Sequence, residues 1–164
     1  MLVNNEAGVL TRVTALFSRR GFNIDSLSVG ETENPKVSRI TITATGDDYL
    51  KEQITKQLEK LHDTIVVEHM EQGRTVLREL LLVKVAVGHE ERSRIMEAVS
   101  VFRAKVVDME PASLTVEITG ERSKLDAFVE YLKPYGISEL CRTGITAIGR
   151  GDYILKRKNK LEEN

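Results

Sequence analysis

Ser38-Arg39-Ile40-Thr41-Ile42-Thr43-Ala44-Thr45-Gly46-Asp47-Asp48 is the stretch that decides the fold. Ile40, Ile42 and Ala44 fall on one face, and Arg39, Thr41, Thr43 and Thr45 on the other. This two-residue period predicts a half-buried strand. Gly46-Asp47-Asp48 breaks the strand and offers an N-cap. Leu50, Ile54, Leu58 and Leu61 then recur at helical spacing, and 65–70 reads as a closing strand. On the other side, Glu33-Asn34-Pro35 is a turn and 22–29 a strand with imperfect alternation. Before that, Val9, Leu10, Val13, Leu16 and Phe17 share a helical face, and Gly21 ends the helix. Met1-Leu2-Val3-Asn4 are left for a first strand. The order is β-α-β-β-α-β, the split βαβ pattern.

After the polar break Gln72-Gly73-Arg74 the pattern starts again. A strand is predicted over 77–87, apolar on both faces. A helix follows over 90–102, with Ile95, Val99 and Phe102 inward. The stretches 104–109 and 114–119 form a hairpin around Glu110-Pro111. A second helix over 123–132 stops at Pro134 and Gly136, and 137–141 closes the repeat. An extra segment occupies 144–151, and 156–164 is a charged tail expected to fray. The predicted fold class is therefore α+β, two ferredoxin-like βαββαβ domains over 1–72 and 73–164. A four-stranded sheet with helices on one side leaves the other side bare. Thr41, Thr43, Leu80 and Leu82 would lie there, and exposed apolar strand residues mark an interface. Dimerisation, or packing of one domain on another, is the expectation.

Composition narrows the function. The 164 residues carry 24 Lys and Arg against 25 Asp and Glu, a net charge of −1 that argues for neither nucleic acid nor a membrane surface. No apolar run is long enough to span a bilayer, and the first residues lack the features of a signal peptide. Cys141 is the sole cysteine, so no intrachain disulfide is possible, and a cytoplasmic location fits. Cys141 ends an apolar strand and is expected to be a buried structural thiol. His62, His69 and His89 have no metal-site spacing, so no metal is expected. No Gly-rich phosphate loop or nucleophile motif is present. Arg142-Thr143-Gly144 and Arg150-Gly151-Asp152 suit either a subunit contact or a plain loop. Lys156, Arg157, Lys158 and Lys160, beside Glu162 and Glu163, suit a solvated tail better than a nucleic-acid contact.

Two polar segments bracket the first helix, Asn5-Glu6-Ala7-Gly8 and Gly21-Phe22-Asn23-Ile24. Gly8 lets a ligand approach the backbone closely, and the N–H groups of Gly8, Val9 and Leu10 lie where intrahelical acceptors are missing. An anionic group fits there. The amides of Asn5 and Asn23 both donate and accept. Such a pair suits binding of an amino acid better than its transformation. Each residue also has a plainer reading: an Asx turn at Asn5, turn punctuation at Gly8, an awkward strand entry at Asn23.

Asn5-Glu6-Ala7-Gly8-Val9-Leu10-Thr11-Arg12-Val13, with Leu16-Phe17-Ser18-Arg19-Arg20-Gly21-Phe22-Asn23-Ile24-Asp25-Ser26-Leu27, resembles the small regulatory subunit of acetolactate synthase (acetohydroxyacid synthase). The resemblance continues through Ser38-Arg39-Ile40-Thr41-Ile42, Gln53-Ile54-Thr55-Lys56-Gln57-Leu58 and Lys60-Leu61. It extends to Arg78-Glu79-Leu80-Leu81-Leu82-Val83-Lys84-Val85, Phe102-Arg103, Lys124-Leu125-Asp126-Ala127-Phe128 and Arg142-Thr143-Gly144. It implies an ACT domain followed by an ACT-like domain. It also implies no cofactor in this chain, and a separate catalytic large subunit holding thiamine diphosphate, magnesium and FAD. The small subunit would raise that partner's activity and confer feedback inhibition by valine, on the route to valine, leucine and isoleucine. Asn5, Gly8, Asn23 and Ile24 match effector-site positions formed where two ACT domains of a homodimer meet, and Val9 and Ile24 would supply an apolar wall. The other reading is a free-standing amino-acid-sensing ACT module that controls another enzyme or a transcriptional system. Members of the family begin their first strand several residues earlier. Met1 to Asn4 fall short of the ~5–6 residues of an ordinary strand. A truncated start or an unusually short central strand is the expectation.

Overall fold

The computed structural model describes residues 1–88 and 90–155. His89 and the predicted charged tail 156–164 lie outside the described residues. The described chain divides into two compact units, 1–76 with 146–155, and Leu77–Ile145.

The first unit runs β1 (Leu2–Asn4), α1 (Val9–Arg20), β2 (Ser26–Glu31), β3 (Val37–Thr43), α2 (Asp48–Glu59) and β4 (Thr64–Val66). The sheet order is β2-β3-β1-β4, antiparallel throughout. β1 has only three residues, yet it is central and pairs with β3 and β4. Val3 anchors it at 1% exposure. The Met1 amine donates to Ile40 O at 2.8 Å, and Ile40 N–H donates back to Met1 O at 2.9 Å. Val9, Val13, Leu16 and Phe17 form the buried stripe of α1 and pack with Val3, Ile40 and Leu58. Leu10, expected on that stripe, lies at its solvent edge at 42% exposure, about 20° further round the helix than Phe17.

The predicted strand over 22–29 begins later, at Ser26. Phe22 and Ile24 pack against the core from a loop. Phe22 sets its ring edge-on to Phe17, centroids 6.2 Å apart. Apolar residues feeding the core from a loop mimic a strand in sequence.

The second unit repeats the topology with β5 (Thr75–Ala86), α3 (Arg92–Val101), β6 (Lys105–Glu110), β7 (Ser113–Gly120), α4 (Arg122–Leu132) and β8 (Ile137–Arg142), in the order β6-β7-β5-β8. Leu81, Val83 and Val85 turn to the helices and meet Ile95, Leu114, Val116, Ile118, Leu125, Phe128 and Leu132. Each such side chain contributes ~1.5–3 kcal/mol by leaving water. Leu80 and Leu82 take the opposite face, Leu80 half-buried and Leu82 exposed. Cys141 pairs with Leu82 on that outer face and is exposed, so the expected buried thiol is corrected by the register of β8. Arg142 is a structural tie. Its guanidinium reaches the buried Glu79 at 3.1 Å and Asp126 at 2.5 Å.

Residues 146–155 group by contact with the first unit. β9 covers Thr146–Gly149, where Arg39 Nη1 donates to Ala147 O at 3.3 Å, and Arg150 N–H donates to Arg74 O at 2.9 Å. Arg74 sits over the Tyr153 ring, 5.4 Å from its centroid, and Glu68 hydrogen-bonds the Tyr153 phenol and holds its pKa above the ordinary value. Among the described residues no helix is long and apolar enough to cross a membrane.

Candidate functional site

The loop from Asn5 to Gly8 connects β1 to α1, and its shape follows from one residue. Gly8 is the N-cap of α1 at φ 84°, in the left-handed region, and no side chain caps the helix. A non-glycine residue there would be strained. Its Cβ would also come within 3.1 Å of Arg12 Nη1. The first turn of α1 has no acidic residue, whereas Arg19 and Arg20 complement the dipole in its last turn. α2 is built differently, with the Asp47 side chain accepting from Leu50 N–H at 2.8 Å.

Five hydrogen bonds from Asn4, Asn5 and Arg12 hold the loop. Asn5 N–H donates to Lys36 O at 2.8 Å, and Asn4 N–H to Asp63 O at 2.9 Å. The Asn5 amide Nδ2 donates to Glu31 Oε1 at 3.1 Å and to Pro35 O at 2.9 Å. Arg12 reaches from the first turn of α1 to Asp63, Nε to Oδ2 at 2.6 Å. The Asp63 side chain is 7% exposed and that of Arg12 49%. The hydrogen bond from Arg12 holds the Asp63 carboxyl below the usual carboxylate range.

The six expected site residues fall into two groups. Asn5, Gly8, Val9 and Leu10 lie at the N-terminal end of α1, and Asn23 and Ile24 lie beyond its C-terminal end. The 12 residues of α1 span about 18 Å. One chain therefore does not bring the two groups together around one small molecule. Val9 is 4% exposed and packed in the core, and its N–H donates to Glu6 O at 3.3 Å. Leu10, at 42% exposure, is the apolar side chain open to solvent at this end. At the other end, Asn23 Nδ2 donates to Asp25 Oδ1 at 2.8 Å, and Thr45 Oγ1 donates to Asp25 Oδ2 at 2.7 Å. Asn23 is exposed and Ile24 half-buried.

The sequence did not point to Glu31, Pro35, Asp25, Arg12 or Asp63 as loop-positioning residues. Arg12 stands one helical turn after Gly8 and could have been suspected. Asp63 is 51 positions from Arg12, and nothing local announces it. Among the described residues no group of His, Cys, Asp and Glu could hold a metal ion, and His62 and His69 are exposed.

Residues 1–66 match the ACT domain described for small subunits of AHAS, and residues 78–151 match the family described as the small subunit of acetolactate synthase. A protein of Methanothermobacter thermautotrophicus named "Probable acetolactate synthase small subunit" is 54% identical, over 92% of this chain and 90% of its own length. The acetolactate synthase small subunit of Mycobacterium bovis is 50% identical over the same shares. The crystal structure of the acetolactate synthase small subunit from Thermotoga maritima superposes with a TM-score of 0.83 at 42% identity, covering 93% of this chain and 96% of that one. The two ferredoxin-like units, the uncapped glycine loop before α1 and these matches together show that the chain belongs to the family of acetolactate synthase small subunits.

Proposed function

We propose that this chain is a valine-responsive regulatory subunit. It raises the activity of a catalytic large subunit that carries thiamine diphosphate, magnesium and FAD, and it lowers that activity when valine binds. It holds no cofactor and performs no chemistry itself, and the reading carries a cytoplasmic location with it. The observation that supports it is the division of the site residues between the two ends of α1. A second copy related by a two-fold axis, with its α1 running antiparallel alongside, would set Asn23 and Ile24 of one chain against Asn5 and Gly8 of the other. β2 is one of the two outer strands of its sheet, with Val29 at 47% exposure, so a second copy has an edge to extend. In such a homodimer the ligand carboxylate meets the uncapped start of α1, where Gly8 leaves room for it. Leu10 and Ile24 flank the branched side chain, and the backbone of Val9 shapes the floor.

Feedback is then linkage. Valine binds one arrangement of the dimer better, and a coupling of ~1–3 kcal/mol shifts the equilibrium between the arrangements 5–150-fold. Leucine and isoleucine differ from valine by one methylene, worth only ~1–3 kcal/mol, so some cross-response is expected. The test is acetolactate formation by the catalytic subunit with and without this chain, titrated with L-valine. The reading requires no product from this chain alone, a faster rate with both, and saturable inhibition by L-valine but not D-valine. No change in the partner's rate would sink it.

A further inference from the structure

The Asn5 amide group is already in use. Its two N–H donors face Glu31 Oε1 at 3.1 Å and Pro35 O at 2.9 Å, acceptors both. Pro35 O belongs to a turn that fixes itself: Val37 N–H donates to Asn34 O at 2.9 Å, Lys36 N–H to Asn34 Oδ1 at 3.0 Å, and Thr32 N–H to Val37 O at 3.0 Å. The same turn takes the Asn5 N–H on Lys36 O. Glu31 ends β2 beside this rigid turn, and both Glu31 and Asn5 are exposed. A free amino acid brings one group that can replace Glu31 at the amide, and that group is also a carboxylate.

We propose that Glu31 is an affinity-setting residue of the effector site, an internal carboxylate that occupies the Asn5 amide and is displaced by the carboxylate of the incoming amino acid. The inference rests on the reading that Asn5 contacts the effector. Pro35 O keeps the amide oriented throughout, so only the Glu31 bond is exchanged. Glu31 also sets a negative charge beside the place where the ligand's carboxylate must enter, and this repulsion weakens binding. Glu31→Gln removes the charge and keeps an acceptor. Glu31→Ala removes both. Binding of L-valine should therefore tighten in the order wild type, Gln, Ala. The exchanged interaction is solvent-exposed, so the gain is ~3–10-fold for Ala.

The experiment is calorimetric titration of the full chain and both variants with L-valine, with thermal melting as a check on folding. Dissociation constants that fall in the stated order, at unchanged melting temperature, support the inference. Valine binding gained in Glu31→Ala where wild type shows none supports it as well. Saturable binding by wild type with equal affinity in both variants overturns it and leaves the sensor reading standing. Weaker binding in both variants overturns it too and makes Glu31 a contact for the ligand's ammonium group. Absence of valine binding in all three proteins overturns the sensor reading, and the inference with it.

Discussion

At Gly8 the backbone is left-handed, and a side chain would press on the Arg12 guanidinium. Two substitutions separate these effects. Gly8→Ala adds strain of roughly 1–2 kcal/mol, while the flexible end of Arg12 can move away from the new methyl. Denaturant unfolding should show a loss of that size. Gly8→Asp places a carboxylate beside the same guanidinium, which offsets part of the strain, but it also fills the place assigned to the ligand's carboxylate. The variant should fold and still raise the partner's rate, yet lose its response to L-valine. Retention of wild-type inhibition would remove Gly8 from the site. Asn5 and Gly8 were legible in the sequence because a loop before an amphipathic helix is a local pattern. Glu31, 26 positions from Asn5, was not, because its role exists only once β2 and β3 have folded beside β1.

The elements were legible where their period was clean and their ends were punctuated. β3 and α2 follow alternation, Gly46 and the Asp47 cap. β2 starts later than its sequence suggests because Phe22 and Ile24 reach the core without joining the sheet. α1 and the α2–β4 connection are held together by Arg12 and Asp63, and this sets a pH dependence. The folded-state pKa of Asp63 is lowered, so the stabilisation is present above the unfolded value of about 3.9 and is lost as pH falls through the folded value. The melting temperature of Asp63→Asn should lie below that of wild type near neutrality, and the gap should close in acid below about pH 4. A gap that stays constant with pH would mean that the ion pair contributes nothing. In the second unit the corresponding weight falls on α4. Phe128 is fully buried and stacks at a tilt on Phe102, centroids 5.1 Å apart. Phe128→Ala should cost about 3–5 kcal/mol in denaturant unfolding. A loss below about 1 kcal/mol would show that the cavity collapses.

For the whole chain, the repeat of one topology was legible from two runs of the same element order, but the return of residues after Thr146 to the first unit was not. That return depends on Arg39, Arg74 and Glu68, which meet residues 147–153 across large sequence distances. The assembly has its own consequence. If the effector site takes the start of α1 from one chain and the residues after α1 from its partner, two different defects should complement. Gly8→Asp spoils the first half-site and Asn23→Ala the second. A homodimer of either variant has no intact site. A mixed dimer has one site spoiled twice and one built from the sound half of each chain. Co-expression of the two variants, with mixed dimers isolated through different affinity tags, should restore partial stereoselective inhibition by L-valine, while each variant alone stays unresponsive. If both half-sites belonged to one chain, no mixture could recover the response, since every chain would carry a defect. The separation of Asn5 and Asn23 by the length of α1 predicts recovery.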